Sequence, residues 1–426
     1  MKKLALFIIC LLLTGCQAIT FSMDDLLNAP NIADEQSAIY QALIESAGRG
    51  ITLEYPRSGD YRSAFVLYDI DGDGDDETLA FYSVSSVSES NVKISVLDRE
   101  ADGKWRSQYE LAGAGSSVER VLFSGTDMVV GYSAQDYEEN AARMYRYSGG
   151  VLESIYEGTY SVLEKADLDG CGTQEIAIVR RSGLGVEIEV LKTDNAGGYS
   201  AYPLQLEESA TAISGSAFGD YNDRKAMYLD ITTESGALVT EIIYLDDGEL
   251  ACPTVAGNLT PMTQRSAGYL SRDYDGDGVV EIPYLSPFTG YEYAAWGEGE
   301  YMTAWLKLSD DGSMLNVKSE SYTNIRDGYI LTIPSRWQYI VTVSRDEGTG
   351  VVTFYSYDQS GETVKSEPIV SFASSDSSGG GAYESAGYTV LYETDFTTYY
   401  MKTVAKEGEP LALTMDEIMD NIYFIQ

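Results

Sequence analysis

A repeated acidic nonapeptide limits what this chain can fold into more than any other feature. It reads Asp69-Ile70-Asp71-Gly72-Asp73-Gly74-Asp75-Asp76-Glu77 and returns as Asp273-Tyr274-Asp275-Gly276-Asp277-Gly278-Val279-Val280-Glu281. A damaged copy lies between them, Asp167-Leu168-Asp169-Gly170-Cys171-Gly172-Thr173-Gln174-Glu175. Acids occupy positions 1, 3, 5 and 9 of the intact unit, with glycine at 4 and 6, where the chain must double back without a Cβ clash. Carboxylates gathered this closely repel one another unless a hard cation lies between them. About six to eight oxygens in a flexible loop suit Ca²⁺ better than Mg²⁺.

The candidate calcium ligands are therefore Asp69, Asp71, Asp73, Asp75 and Glu77 in the first loop, and Asp273, Asp275, Asp277 and Glu281 in the last. Asp167, Asp169 and Glu175 are the candidates of the damaged loop, where Cys171 offers a soft sulfur that Ca²⁺ does not favour. Asp and Gly also build ordinary surface turns. Three copies that all keep the terminal Glu favour the metal reading.

An EF-hand places its bidentate Glu at position 12 of a loop between helices. Here the Glu is at position 9, and the flanks Ala64-Phe65-Val66-Leu67-Tyr68 and Thr78-Leu79-Ala80-Phe81-Tyr82 are short runs of strand formers. This strand, loop and strand resembles the FG-GAP or VCBS repeats of integrin-α-like β-propellers, in which D-x-D-G-D-G-x-x-E joins the first two strands of a blade. The resemblance covers roughly the middle three-fifths of the chain and implies a calcium-bearing propeller.

Loop starts recur every ~50 residues, the period expected of propeller blades. Five four-stranded units can be marked off, the first as Phe65–Tyr68, Thr78–Ser83, Val92–Asp98 and Trp105–Leu111. The second has Ser124-Gly125-Thr126-Asp127 in place of the acidic loop and is expected to be metal-free, and the fourth keeps Asp220 and Asn222 without a terminal Glu. The fifth is expected to open with a strand at Gly268–Ser271, and Ile51–Tyr55 to complete the last blade and close the ring. Five is fewer than the seven blades of the integrin relatives.

Met1-Lys2-Lys3 and the apolar run Leu4 to Leu13 read as a secretory signal, and Leu13-Thr14-Gly15-Cys16 as a bacterial lipobox. The expectation is cleavage before Cys16, lipid on that residue, and a chain tethered to a membrane outside the cytoplasm. Residues 17–57 then read as a tether and a helix, with Asp34 as its cap, Ile39, Leu43 and Ala47 on one face and Gly48 just past its end. Of the four cysteines only Cys171 and Cys252 remain to pair, so there is no disulfide framework.

There is no histidine, which removes Ser-His-Asp and Cys-His catalysis together with His-containing zinc sites. With 67 acidic against 28 basic residues and a formal charge of −39, nucleic acid and anionic lipid headgroups are poor partners.

Residues 58–322 are assigned to the repeats and 323–426 to a small α+β domain that ends in a helix, with Thr414 and Glu417 as its capping box. Tyr293, Trp296 and Trp305 belong to an aromatic-dense insertion that either holds a ligand such as a sugar or fills the seam between the propeller and the second domain. The fold expected is mainly β: about five propeller blades with calcium loops, then the α+β domain. The function expected is a lipid-anchored cell-envelope module that binds calcium and presents a protein or glycan partner with a rigid surface. The alternative is an extracytoplasmic glycan hydrolase using paired carboxylates, a chemistry that needs no histidine.

Overall fold

The computed structural model describes residues 30–84, 91–133, 139–183, 185–194, 197–206, 210–295, 298–357, 367–376, 381–406 and 408–425, with side chains from residue 35 onward. Cys16 and its lipobox lie outside the described residues, as does Trp296. Among the described residues no helix is long and apolar enough to cross a membrane. The protein is mainly β, built from antiparallel sheets of four or five strands. It divides into two compact units, up to Thr159 and from Tyr160.

The first unit opens with α1 (Pro30–Ala47). Proline suits a first helical turn because it has no N–H to leave unpaired. Asp34 therefore lies inside the helix and is not its cap. Gly48 ends it as expected, at φ 87° with its N–H on Ile44 O. The first sheet comprises β1 (Ile51–Leu53), β2 (Phe65–Tyr68), β3 (Glu77–Val84), β4 (Lys93–Arg99) and β5 (Trp105–Ala112).

β1 does not close a distant sheet. It pairs with the far end of β3 (Leu53↔Tyr82), beyond the stretch that β2 occupies (Phe65↔Ala80). Alternation along β3 then fills two layers. Leu79 and Phe81 face a core shared with the second sheet, while Ala80 and Tyr82 face Ile39 and Leu43 of α1. The second sheet is β6 (Ser117–Ser124), β7 (Asp127–Ser133), β8 (Asn140–Ser148) and β9 (Val151–Tyr160), in that order.

The second unit continues with the third sheet, β10 (Val162–Ala166), β11 (Glu175–Ser182), β12 (Gly185–Thr193) and β13 (Tyr199–Leu206). The fourth is β14 (Ala210–Tyr221), β15 (Arg224–Thr233), β16 (Leu238–Asp246) and β17 (Glu249–Ala251). Both run in sequence order as meanders. Tight turns set the registers, as at Asp247-Gly248, where both residues have positive φ (46° and 82°) between the paired Asp246 and Glu249. β15 is buried on both sides. Met227, Leu229 and Ile231 pack on the third sheet, and Ala226 and Tyr228 share a core with Ile282, Ala304 and Leu306 of the fifth.

The fifth sheet comprises β18 (Ile282–Pro287), β19 (Tyr301–Leu308), β20 (Leu315–Asn324) and β21 (Tyr329–Thr332). The boundary expected after Tyr322 falls inside β20, because the hairpin to β21 continues this sheet (Tyr322↔Leu331). A sixth sheet follows: β22 (Val341–Arg345), β23 (Val352–Ser356), β24 (Pro368–Asp376), β25 (Thr389–Glu393) and β26 (Thr397–Thr403). The described residues thus form six sheets, the sixth lying in the segment expected to be the α+β domain.

The expected capping box is present, Thr414 and Glu417 bonding reciprocally, but α2 (Met415–Met419) is a single turn. The chain then turns back as β27 (Ile422–Phe424) to pair with β21. Met415 and Ile418 are in the expected helix, but Ile422 is in a strand and not in a continuation of it. Asn421 already belongs to that strand edge, its carbonyl accepting from Thr332 N.

Gly268–Ser271 is not a strand either. That segment is held by a buried ion pair: Asp230 (1% exposed) accepts from Ser271 N at 2.6 Å and from Arg265 Nη2 at 2.7 Å. Arg265 (4% exposed) also bonds Tyr269 O and Thr263 O. Removing one partner of a buried pair leaves a charge without compensation. Asp230→Ala is therefore expected to cost about 3–5 kcal/mol, measured as a lower urea midpoint. An unchanged midpoint would mean that Arg265 finds another partner.

Candidate metal centres

Each acidic loop links the first two long strands of a sheet or lies directly before its opening strand, and all three share one internal scaffold. The second residue of each copy points into the core: Ile70 and Leu168 are fully buried, and Tyr274 is nearly so. Its backbone N–H is taken up by the terminal glutamate, Ile70 N to Glu77 Oε2 at 3.1 Å, Leu168 N to Glu175 Oε2 at 2.8 Å and Tyr274 N to Glu281 Oε2 at 3.4 Å. The first aspartate closes the loop from the other end. Asp69 accepts from Gly72 N and Gly74 N, and Asp273 accepts from Gly276 N and Gly278 N. These glycines have φ between 78° and 99° in the intact loops, a backbone region that a side chain would strain.

Oxygens converge as the sequence predicts. Asp69, Asp71 and Glu77 each offer a carboxylate oxygen within 4.8 Å of the others, as do Asp273, Asp275 and Glu281; the damaged loop gathers Asp167, Asp169, Cys171 and Glu175. Asp73 and Asp277 lie outside these closest groups, and each accepts a backbone N–H two residues on, from Asp75 and Val279. Asp75 is exposed. Cys171 and Cys252 are both free thiols.

The damaged and last loops are also bonded to a neighbouring sheet. In the second unit Asp167 O and Leu168 O accept from Lys225 N and Leu245 N of the fourth sheet, and Gly278 O accepts from Asp220 N. In the first unit Tyr68 Oη donates to Gly125 O, in the Ser124–Asp127 turn that replaces an acidic loop. Asp127 of that turn is buried and accepts from Nε and Nη2 of Arg146, at 2.8 and 2.6 Å.

Strand register gives each loop a different neighbour, and the linear sequence does not reveal it. One step beyond the pair Thr78↔Leu97, Asp98 stands opposite Glu77; beyond Ile176↔Leu191, Lys192 stands opposite Glu175; beyond Ile282↔Leu306, Lys307 stands opposite Glu281. The last loop receives a second lysine from β20. Lys318 Nζ lies 3.0 Å from Asp275, 2.8 Å from Asp277 and 2.6 Å from Glu281. Lys192 Nζ bonds Asp169 and lies 3.8 Å from Glu175 Oε1. Among the described residues no lysine or arginine forms an ion pair with a carboxylate of the first loop.

Titration follows these neighbours. Burial, then Asp71, raises Glu77 to about 7, with Asp98 and Asp73 adding to the rise against the Ile70 N–H. Burial also raises Glu281 to about 7 although Lys318 opposes it, and raises Glu175. The ammonium of Lys192 is stabilised by its hydrogen bond to Asp169. Burial works against Lys318, but its bonds to Asp277, Glu281 and Asp275 outweigh that and raise its pKa.

The aromatic insertion divides. Trp305 is 1% exposed, stacked on Tyr274 at 4.6 Å and bonded through Nε1 to Ser321 Oγ, so it is core and offers no face to a ligand. Tyr293 is fully exposed. The buried carboxylates outside the loops are engaged: Asp127 and Asp230 by arginines, Glu241 by the hydroxyls of Thr254 and Thr260.

No family model matches this sequence, and no curated protein matches it. Among solved structures the chain is similar to a periplasmic gluconolactonase of Pseudomonas aeruginosa (11% identity, 69% of this chain and 95% of that one, TM-score 0.26). It is also similar to Sqt1 of Chaetomium thermophilum (13% identity, 77% and 93%, TM-score 0.28). A third similarity is to an exo-β-1,3-galactanase of Phanerochaete chrysosporium (8% identity, 76% and 80%, TM-score 0.25). Likeness at this level assigns no activity to the chain.

Glu77 carries a raised pKa in the cation-free fold, so it contributes stability below its unfolded value of about 4.5, and that contribution is lost as pH rises through about 7. Glu77→Gln keeps an acceptor for the Ile70 N–H and removes the charge. In chelator the variant should melt above wild type at pH higher than about 7 and level with it below about 4.5. Calorimetry at both ends of that range checks the sign; a variant that melts lower at high pH would show that the charge itself holds the loop.

Proposed function

We propose that this chain is a calcium-stabilised β-propeller, anchored at the cell envelope through lipid on Cys16, that acts as a binding or scaffold module for a protein or glycan partner. The observation that carries the reading is the first loop, where Asp69, Asp71 and Glu77 converge and the buried Glu77 has neighbouring acids and no cationic partner among the described residues. A divalent ion there would neutralise a charge that burial makes costly. Asp69, Asp71, Asp73 and Glu77 would hold it, and an oxygen-only donor set suits a hard cation.

The propeller reading draws support from the sheets. The second, third and fourth are four-stranded meanders in strict sequence order. Each sheet packs face to face on the next within its unit, the first on the second, the third on the fourth and the fourth on the fifth. A blade of this kind cannot bury both faces alone and is stable only when stacked. The envelope assignment rests on the signal and lipobox residues, and the partner class on a rigid acidic surface that nucleic acid would avoid.

At ~1 mM free calcium and a Kd near ~0.1 mM, one site stabilises the fold by roughly 1.4 kcal/mol. Chelation should thus lower the melting temperature by a few degrees, calcium should restore it, and Asp71→Ala should remove that response. A wild-type melt insensitive to both would count against the clamp. Glycan-array binding in calcium without product is the outcome expected of a module; turnover abolished by a single Asp or Glu substitution would make the chain a hydrolase instead.

A further inference from the structure

We propose that Lys318 and Lys192 are tethered counter-cations that occupy the metal seats of the last and the damaged acidic loops, so that of the three loops the first alone takes calcium from solution. The inference rests on the reading of the first loop as a calcium site and extends it to the other two.

The last loop gives the strongest case. Lys318 Nζ lies within 3.0 Å of oxygens from Asp275, Asp277 and Glu281, three of the four acids that the motif assigns to a cation. An ammonium has three N–H donors, and three carboxylates take them. Nitrogen among these oxygens and a calcium ion at about 2.3–2.6 Å from the same oxygens would share one space. The two are mutually exclusive.

The backbone directs this lysine. Trp305 pairs with Ser319 and Leu306 with Val317, so Lys318 is the extra residue of a bulge in β20. A bulge re-aims its side chain out of the normal alternation. The Nζ lies 5.9 Å from the centroid of the Tyr274 ring, the second residue of the loop it neutralises. Because the ammonium is attached to the same fold, it enters the seat by an intramolecular step, whereas calcium must bind from solution.

Lys192 does the same by a simpler route, from the β12 position opposite Glu175, with Asp169, Cys171 Sγ at 3.5 Å and Glu175 around it. The loop that lost an oxygen donor to Cys171 is thus also one that carries its own cation. At the equivalent place the first loop has Asp98, whose charge bears on Glu77 with the same sign. Three copies of one motif therefore have three different electrostatic settings, and the difference resides in residues outside the motif.

Calcium titration of the chelated full chain by isothermal calorimetry tests this, with Lys318→Met as the central variant. The expected result is one equivalent for wild type, lost in Asp71→Ala, and one additional equivalent in Lys318→Met that persists when Asp71→Ala is added. A second wild-type equivalent that disappears with Asp275→Ala would overturn the inference, as would Lys318→Met without a gain. Zero equivalents in wild type and one in Lys318→Met would keep Lys318 as the occupant of the last loop and remove the reading of the first loop as a calcium site.

Asp98→Lys supplies an independent arm should Lys318→Met fail to fold. It places an ammonium opposite Glu77 as Lys192 is placed opposite Glu175. It should abolish the wild-type equivalent and yield a chelated protein that melts no lower than wild type and does not respond to calcium. An Asp98→Lys chain that still binds one equivalent with a calcium-dependent melt would overturn the proposal.

Discussion

A carboxylate taken out of water needs donors or a cation to carry its charge, and Glu77, Glu175 and Glu281 are each almost wholly buried. Each uses one oxygen to hold the backbone N–H of the second loop residue, whose apolar side chain is sunk in the core. That bond closes the loop and fixes where the aspartates point. The glutamate is a structural acceptor first, and its second oxygen is what remains for a cation. The loop geometry and the free oxygen that a cation could take thus arise from the same buried group.

The packing of the sheets depends on these loops in turn. Carbonyls of the damaged and last loops accept N–H groups from the fourth sheet, so a loop that lost its shape would release a neighbouring sheet as well as its own hairpin. Where no acidic loop exists, other chemistry holds the same kind of corner. The Ser124–Asp127 turn relies on the Asp127 and Arg146 pair, and the approach to the last loop relies on Asp230 and Arg265. The first of these pairs crosses adjacent strands of the second sheet, with Arg146 partly exposed, whereas Asp230 and Arg265 are both buried and tie the fourth sheet to the segment that leads into the fifth.

Counter-charge also separates copies that the motif makes identical. Asp98, Lys192 and Lys318 come from third or later strands of their sheets and reach the loops through antiparallel register or through a bulge. A one-residue change of register would turn each of them to the opposite face. The three loops therefore differ in the strand residues that face them as well as within the loops, where Cys171 is the clearest difference.

Much of this protein is determined by short-range sequence. The acidic loops, the strand-length apolar runs around them, Gly48 at the end of α1 and the Thr414 capping box all follow from local rules of φ, period and capping, and they stand where those rules place them. Pairings between distant segments do not follow from such rules. That β1 returns to β3, that β27 completes the fifth sheet, that Trp305 is core and that Lys318 neutralises a loop about 40 residues away were decided by tertiary structure. A strand edge or an ammonium has no preferred partner until the fold brings one within hydrogen-bonding distance, and only then does the choice acquire an energy.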